Sequence, residues 1–139
     1  MEVINAVICD DIRQEIGNKF SLMGIYVDRF IIETKTPESL KWPLNIKLGI
    51  FVSFKSEKET DFPKEFEFQV FDNGAPTNIK IGGSIVSQPG ELRGQLIINI
   101  ERLSINKGSF GYKVTFLKDG KELCSLDKTK SIAVEVKVI

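Results

Sequence analysis

A chain of 139 residues that is 42% hydrophobic and 27% charged has the size and make-up of one folded domain, which excludes a disordered or collagenous protein. Its 19 basic side chains balance 19 acidic ones, so no net field draws it to nucleic acid or to an anionic membrane surface. No apolar run approaches the roughly 20 residues of a membrane-crossing helix, and residues 1–139 read as a single domain.

Met1 to Ile8 is a short apolar run with Glu2 inside it, lacking the basic start and long apolar stretch of a signal peptide. With only Cys9 and Cys124, far apart in the chain, free thiols in a reducing compartment are expected rather than a disulfide scaffold. A cytoplasmic location follows as the expectation. Asp11, with Gln14 three residues on, has the pattern of a weak capping box, which predicts one turn of helix before Gly17-Asn18 stops it. Asp10 to Asn18 then reads as a loop. A second helical turn is expected within Thr36 to Trp42.

Beyond this point period two dominates. Ile46, Leu48, Ile50, Val52 and Phe54 alternate with Asn45, Lys47, Gly49, Phe51 and Ser53, placing the first set on one face of a strand. Phe66, Phe68 and Val70 repeat the pattern, as do Leu96, Ile98 and Ile100, then Tyr112, Val114 and Phe116, and finally Ile132, Val134, Val136 and Val138. Turn residues separate these runs every ten or so positions, as in a sandwich or barrel. Asp119-Gly120 is the strongest of them, because both residues tolerate the positive φ angles of a type I′ hairpin. Gly82-Gly83 reads as a strand bulge. The expected fold is all-β: a two-sheet antiparallel β-sandwich, immunoglobulin-like or C2-like, with at most one or two short helical turns.

The chain contains no histidine, which removes the usual general base and the commonest metal ligand. Two distant cysteines without imidazole do not make a zinc site, and neither a P-loop nor a strand-linked G-x-G-x-x-G is present. An enzyme and a bound cofactor are therefore not expected. Of the ten phenylalanines, Phe51, Phe62, Phe71 and Phe110 stand off the apolar faces of the expected strands. They are too few, beside Lys47 and Lys107, to make the stacking surface of a nucleic-acid binder.

The most distinctive stretch is Cys9-Asp10-Asp11-Ile12-Arg13-Gln14-Glu15, followed by Lys19-Phe20-Ser21-Leu22-Met23-Gly24-Ile25-Tyr26. Its plain reading is that Asp10 and Asp11 cap a turn and Arg13 pairs with a nearby carboxylate. Flanking acids also disfavour a Cys9 thiolate. This opening, with Gly111-Tyr112-Lys113-Val114 ahead of the Asp-Gly hairpin, resembles an uncharacterised bacterial family of small all-β proteins. The resemblance implies a β-sandwich in a bacterial, cytoplasmic setting and assigns no activity and no site residues.

Two function classes remain. The first is a non-catalytic protein-interaction module with a protein partner, using the opening loop and the polar Lys55 to Lys64 connection; its candidate residues are Asp10, Asp11, Arg13 and Glu15. The alternative is a metal-ion or small-ligand binding domain of C2-like kind, with Asp10, Asp11, Asp28 and Asp72 as oxygen ligands. The regular last strand leaves a homo-oligomer open, since an uncovered strand at a sheet edge invites pairing.

Overall fold

The alternating runs form strands in the computed structural model, which describes residues 1–17 and 19–139. The strands are β1 (Glu2–Glu15), β2 (Lys19–Tyr26), β3 (Arg29–Thr34), β4 (Leu44–Lys55), β5 (Glu65–Asp72), β6 (Ala75–Ser84), β7 (Arg93–Ile105), β8 (Gly108–Lys118) and β9 (Lys121–Val138). They build two sheets, ordered β2-β1-β4-β7 and β3-β9-β8-β5-β6. Packed face to face, these make an all-β sandwich. Every pairing is antiparallel except β3 with β9, which is parallel. Among the described residues helix is confined to two 3-10 turns, Pro37–Ser39 within the expected segment and Glu59–Asp61.

The core is the meeting of the two central strands. Leu48, Ile50, Val52 and Phe54 of β4 are fully buried, and Tyr112, Val114 and Phe116 of β8 are nearly so. Phe54 and Phe116 meet across the gap with ring centroids 4.9 Å apart, a contact that adds about 0.5–1.5 kcal/mol to simple burial. Two of the aromatics assigned off the core belong to it. Phe62 and Phe110 are 5% and 2% exposed, Phe62 because the short turn at Glu59–Asp61 lays its ring 5.5 Å from Phe54. Phe51 and Phe71 are half-buried.

The helical turn expected at Asp11 to Glu15 does not form. Those residues continue β1 and pair with Met23 to Lys19 of β2, so the loop reading of residues 10–15 is also wrong; Asn18 lies outside the described residues. Pairing with β2 gives this stretch a continuous ladder along one edge, whereas a single helical turn carries the cost of nucleation for one hydrogen bond. Gly82 and Gly83 pair regularly with Glu67 and Phe66 instead of bulging. The irregularity sits further back in β6, where the Thr77 hydroxyl donates to the Val70 carbonyl at 2.8 Å between the pairs Gln69–Lys80 and Phe71–Pro76.

Bulges also explain where alternation changes phase. In β7 the buried positions run Leu96, Ile98 and then Leu103, Ile105, because Glu101 and Arg102 stand opposite Lys47 alone between the pairs Leu48–Ile100 and Ile46–Leu103. The β8–β9 hairpin turns at Asp119-Gly120 with φ of 51° and 76°, the type I′ signature expected. In β9, Ile132 and Val134 are buried, Val136 is half-buried and Val138 is 62% exposed. Residues 133–138 are covered along one edge by β3.

The sharpest departure from regular pairing is between β8 and β9, where Thr129, Lys130 and Ser131 stand opposite Gly111 between the pairs Phe110–Ile132 and Tyr112–Lys128. A Cβ on Gly111 would lie 2.2 Å from the Thr129 carbonyl group and 2.3 Å from the Lys128 oxygen. Those atoms are backbone and cannot swing aside. Gly111→Ala is expected to destabilise the protein by about 3 kcal/mol, read as a lowered urea midpoint at unchanged m-value; a midpoint equal to that of the parent protein would show that the bulge relaxes freely.

Candidate functional site

The opening motif folds as a two-stranded arm. β1 pairs with β4 only as far as Cys9, opposite Gly49, and from there to Glu15 its partner is β2 alone. The arm does not continue straight. Ile12 reaches back over Gly49, its Cγ1 2.8 Å from where a Cβ on that glycine would sit. Further out, Phe20 places its ring 6.1 Å from that of Phe51. The arm thus lies across the outer face of the first sheet and seals Cys9 (0% exposed) and Ile12 (7%) outside the main core.

The candidate residues sit at the bend of this arm. Asp10 and Asp11 point apart, as an extended backbone requires. Asp10 accepts the Tyr26 hydroxyl, and its side chain occupies the space above Gly24. Burial first, and then the Asp10 carboxylate, hold the Tyr26 phenol well above its ordinary value. The Tyr26 ring stands edge-on to Phe30 at 4.2 Å, and Phe30 in turn meets Phe110 at 5.8 Å, so the arm's root is anchored into the second sheet. Asp11 accepts from Arg13 Nε at 2.9 Å and faces Lys47 Nζ at 3.1 Å. Those two cations, Arg13 the stronger, pull the Asp11 carboxyl below its ordinary value; Asp11 in turn raises both partners. Glu15 is exposed at the end of the arm, opposite Lys19. Tyr26 and Lys47 were not among the residues picked from sequence for this site, because only the fold brings them to it.

The oxygens of the metal-ion reading are dispersed. Asp28 lies 3.1 Å from Arg29 Nε, and Asp72 accepts from Asn106 at 2.7 Å and Asn73 at 3.1 Å. Among the described residues no three His, Cys, Asp or Glu side chains come close enough to share a metal ion. Desolvation, reinforced by Asp10 and Asp11, raises the Cys9 thiol, in keeping with the reading of its flanking acids. Cys124 is half-buried on β9, and both thiols are free.

The edges of the sheets differ in how they meet solvent. β6 carries Pro76, a bulge and Lys80; β7 carries Arg93, Glu101 and Arg102; β3 carries Arg29 and Glu33. These are the usual devices that keep an edge from recruiting another strand. β2 has no charged residue from Phe20 to Tyr26, and it exposes Met23 (46%) and Ile25 (57%), followed by Val27 (91%). Comparison with protein families, with characterised proteins and with solved structures finds no match to this chain.

Two measurements check the geometry of the bend. A maleimide or disulfide reagent at neutral pH is expected to modify Cys124 readily and Cys9 only at the rate of arm opening or unfolding; equal rates would mean the arm does not cover Cys9. Asp11, with its carboxyl held low, contributes stability that is present above its ordinary value of 3.8 and is lost as pH falls below it. Asp11→Asn is therefore expected to flatten the acid limb of the melting-temperature profile, and an unchanged limb would detach Asp11 from Arg13 and Lys47.

Proposed function

We propose that this protein is a non-catalytic interaction module, and that it takes up an extended, largely apolar segment of a partner protein along β2. The observation that carries this reading is the contrast among the sheet edges: of the four outer strands, β2 alone exposes two large apolar side chains, Met23 and Ile25, within an uncharged run, Phe20 to Tyr26. A free edge offers main-chain donors and acceptors to an added strand, and the side chains beside it select what docks. With no charge between Phe20 and Tyr26, an acidic or basic segment gains nothing there, whereas an apolar alternating segment covers Met23 and Ile25. The candidate residues Asp10, Asp11 and Arg13 act in this reading by holding the arm's bend, and Glu15 marks its tip.

The test compares the natural protein with a Met23→Lys/Ile25→Lys double variant in pull-downs from cells of its source, each binding followed by hydrogen exchange. These exposed substitutions should change stability by no more than about 0.5 kcal/mol each. The expected outcome is a partner retained by the natural protein, released by the variant, and protecting the amides of β2. A partner held equally by both, or protection confined to another edge, would overturn the assignment. A concentration-dependent dimer that the double variant abolishes would make a second copy of this chain the occupant.

A further inference from the structure

We propose that a pocket between the two sheets, at the foot of the arm, binds a small carboxylate through Tyr112 and Lys128. The pocket measures about 120 Å³ and is lined by Ile8, Tyr26 and Val27 on the side of the first sheet and by Tyr112, Lys128 and Ser131 on the side of the second. That is well below the roughly 300–1,000 Å³ of drug-sized sites, and it suits a group of few atoms.

Tyr112 is the reason to look here. It is 3% exposed, and burial pushes its hydroxyl up to about 12, yet among the described residues that hydroxyl has no hydrogen-bond partner. No fully enclosed side-chain polar atom among them is left without one, so the hydroxyl is not sealed in the core but keeps contact with the opening. An interior phenol is ordinarily satisfied; this one has no partner among the described residues and is satisfied by water or by a guest in the pocket. Lys128 stands directly opposite Tyr112 across the β8–β9 ladder, where the bulge at residues 129–131 begins. It is exposed and lies in none of the ion pairs among the described residues.

The other polar walls are already engaged. The Tyr26 hydroxyl donates to Asp10, and the Ser131 hydroxyl donates to the Lys128 carbonyl at 2.9 Å. The free donors are therefore one phenol O–H and one ammonium, a match for the two oxygens of a single carboxylate. A phosphate dianion would bring a second charge without a second cation. Ile8 and Val27 give the pocket an apolar side suited to a short aliphatic tail. The proposal stands independently of partner docking on β2.

The test is a titration of ¹⁵N-labelled full-length protein with acetate and then propionate, at ionic strength held constant with chloride, following the amides of Tyr112, Lys128 and Ser131. Saturable shifts confined to these residues are expected. Tyr112→Phe, which removes an oxygen with no protein partner, should keep the melting temperature and weaken binding at least tenfold, since hydrogen bonds to charged groups are among the stronger ones. Lys128→Gln, at an exposed position, should weaken it comparably and serves as the second variant should Tyr112→Phe fold poorly. Shifts that do not saturate, that chloride reproduces, or that persist undiminished in either folded variant would leave a pocket filled by water and overturn the proposal.

Discussion

The molecule depends on one contact strip, where the inner side chains of β4 and β8 press together between the sheets. Each of these strands is flanked on both edges, β4 by β1 and β7 and β8 by β5 and β9, so each lends both its main-chain edges to the ladder and one whole face to the core. Leu48, Ile50, Val52 and Phe54 on one side, with Val114 and Phe116 on the other, retain no solvent exposure. Burying a branched or aromatic side chain in this way is worth about 1.5–3 kcal/mol relative to leaving it exposed. Phe54 concentrates the effect, because Phe62 and Phe116 both rest on its ring. Removing it would cost about 3–5 kcal/mol, a large fraction of the net stability of a domain this size.

Away from the strip the strands are free to deviate, and they do so by bulging. Lys47 faces Glu101 and Arg102, Val70 faces Thr77 to Ile79, and Gly111 faces Thr129 to Ser131. Extra residues in one strand bend it and increase its local twist. The consequences are local and specific. The β7 bulge flips the phase so that Leu103 and Ile105 turn inward, and beyond the β9 bulge Ile132 to Val134 still pair with β8 while β3 takes the other edge of the strand in parallel. The pocket beside Tyr112 lies at that same bulge, where the second sheet is least regular.

This division explains what could be read from sequence. The runs at residues 44–54, 65–70 and 112–116 were legible because a central strand with one face in the core must alternate, and these do. β1, β2 and β3 gave no such signal. β1 changes surroundings twice within Glu2 to Glu15, first at the irregularity between Val3 and Asn5 and then at the bend after Cys9. Ile12 is therefore buried on a different surface from Ile8, and no single period describes both. Phe62 was unreadable for a related reason: it lies in a polar connection, and only its distant partner Phe54 makes it core. At the candidate site the sequence read a carboxylate partner for Arg13 but set it in a turn; the pair with Asp11 forms because residues two apart share a strand face. Tyr26 closes the distinctive opening stretch and Lys47 comes from β4, and only the pairing of the strands brings the two to the bend.

The bend also accounts for the chemistry at the arm. Folding the hairpin over the first sheet covers Cys9 and Gly49 with Ile12 and brings Phe20 onto Phe51, so the outer face of β4 gains an apolar cover that the alternation of Lys47, Gly49, Phe51 and Ser53 alone would not demand. Polar groups hold that cover in place from its margins: Asp10 with Tyr26 on one side, Asp11 with Arg13 and Lys47 on the other. Those exposed ion pairs are individually weak, so the arm is held chiefly by the apolar contact beneath it and oriented by the charges around it. The same fold places the inner edge of β2 against β1 and leaves its outer edge toward solvent without Pro, Lys or Glu between Phe20 and Tyr26. An edge of that composition is a liability in a protein that never meets a partner strand. What sets β2 apart from the other three outer strands is that Met23 and Ile25 are both exposed on it within that uncharged run, and the proposed docking of a partner strand rests on that difference.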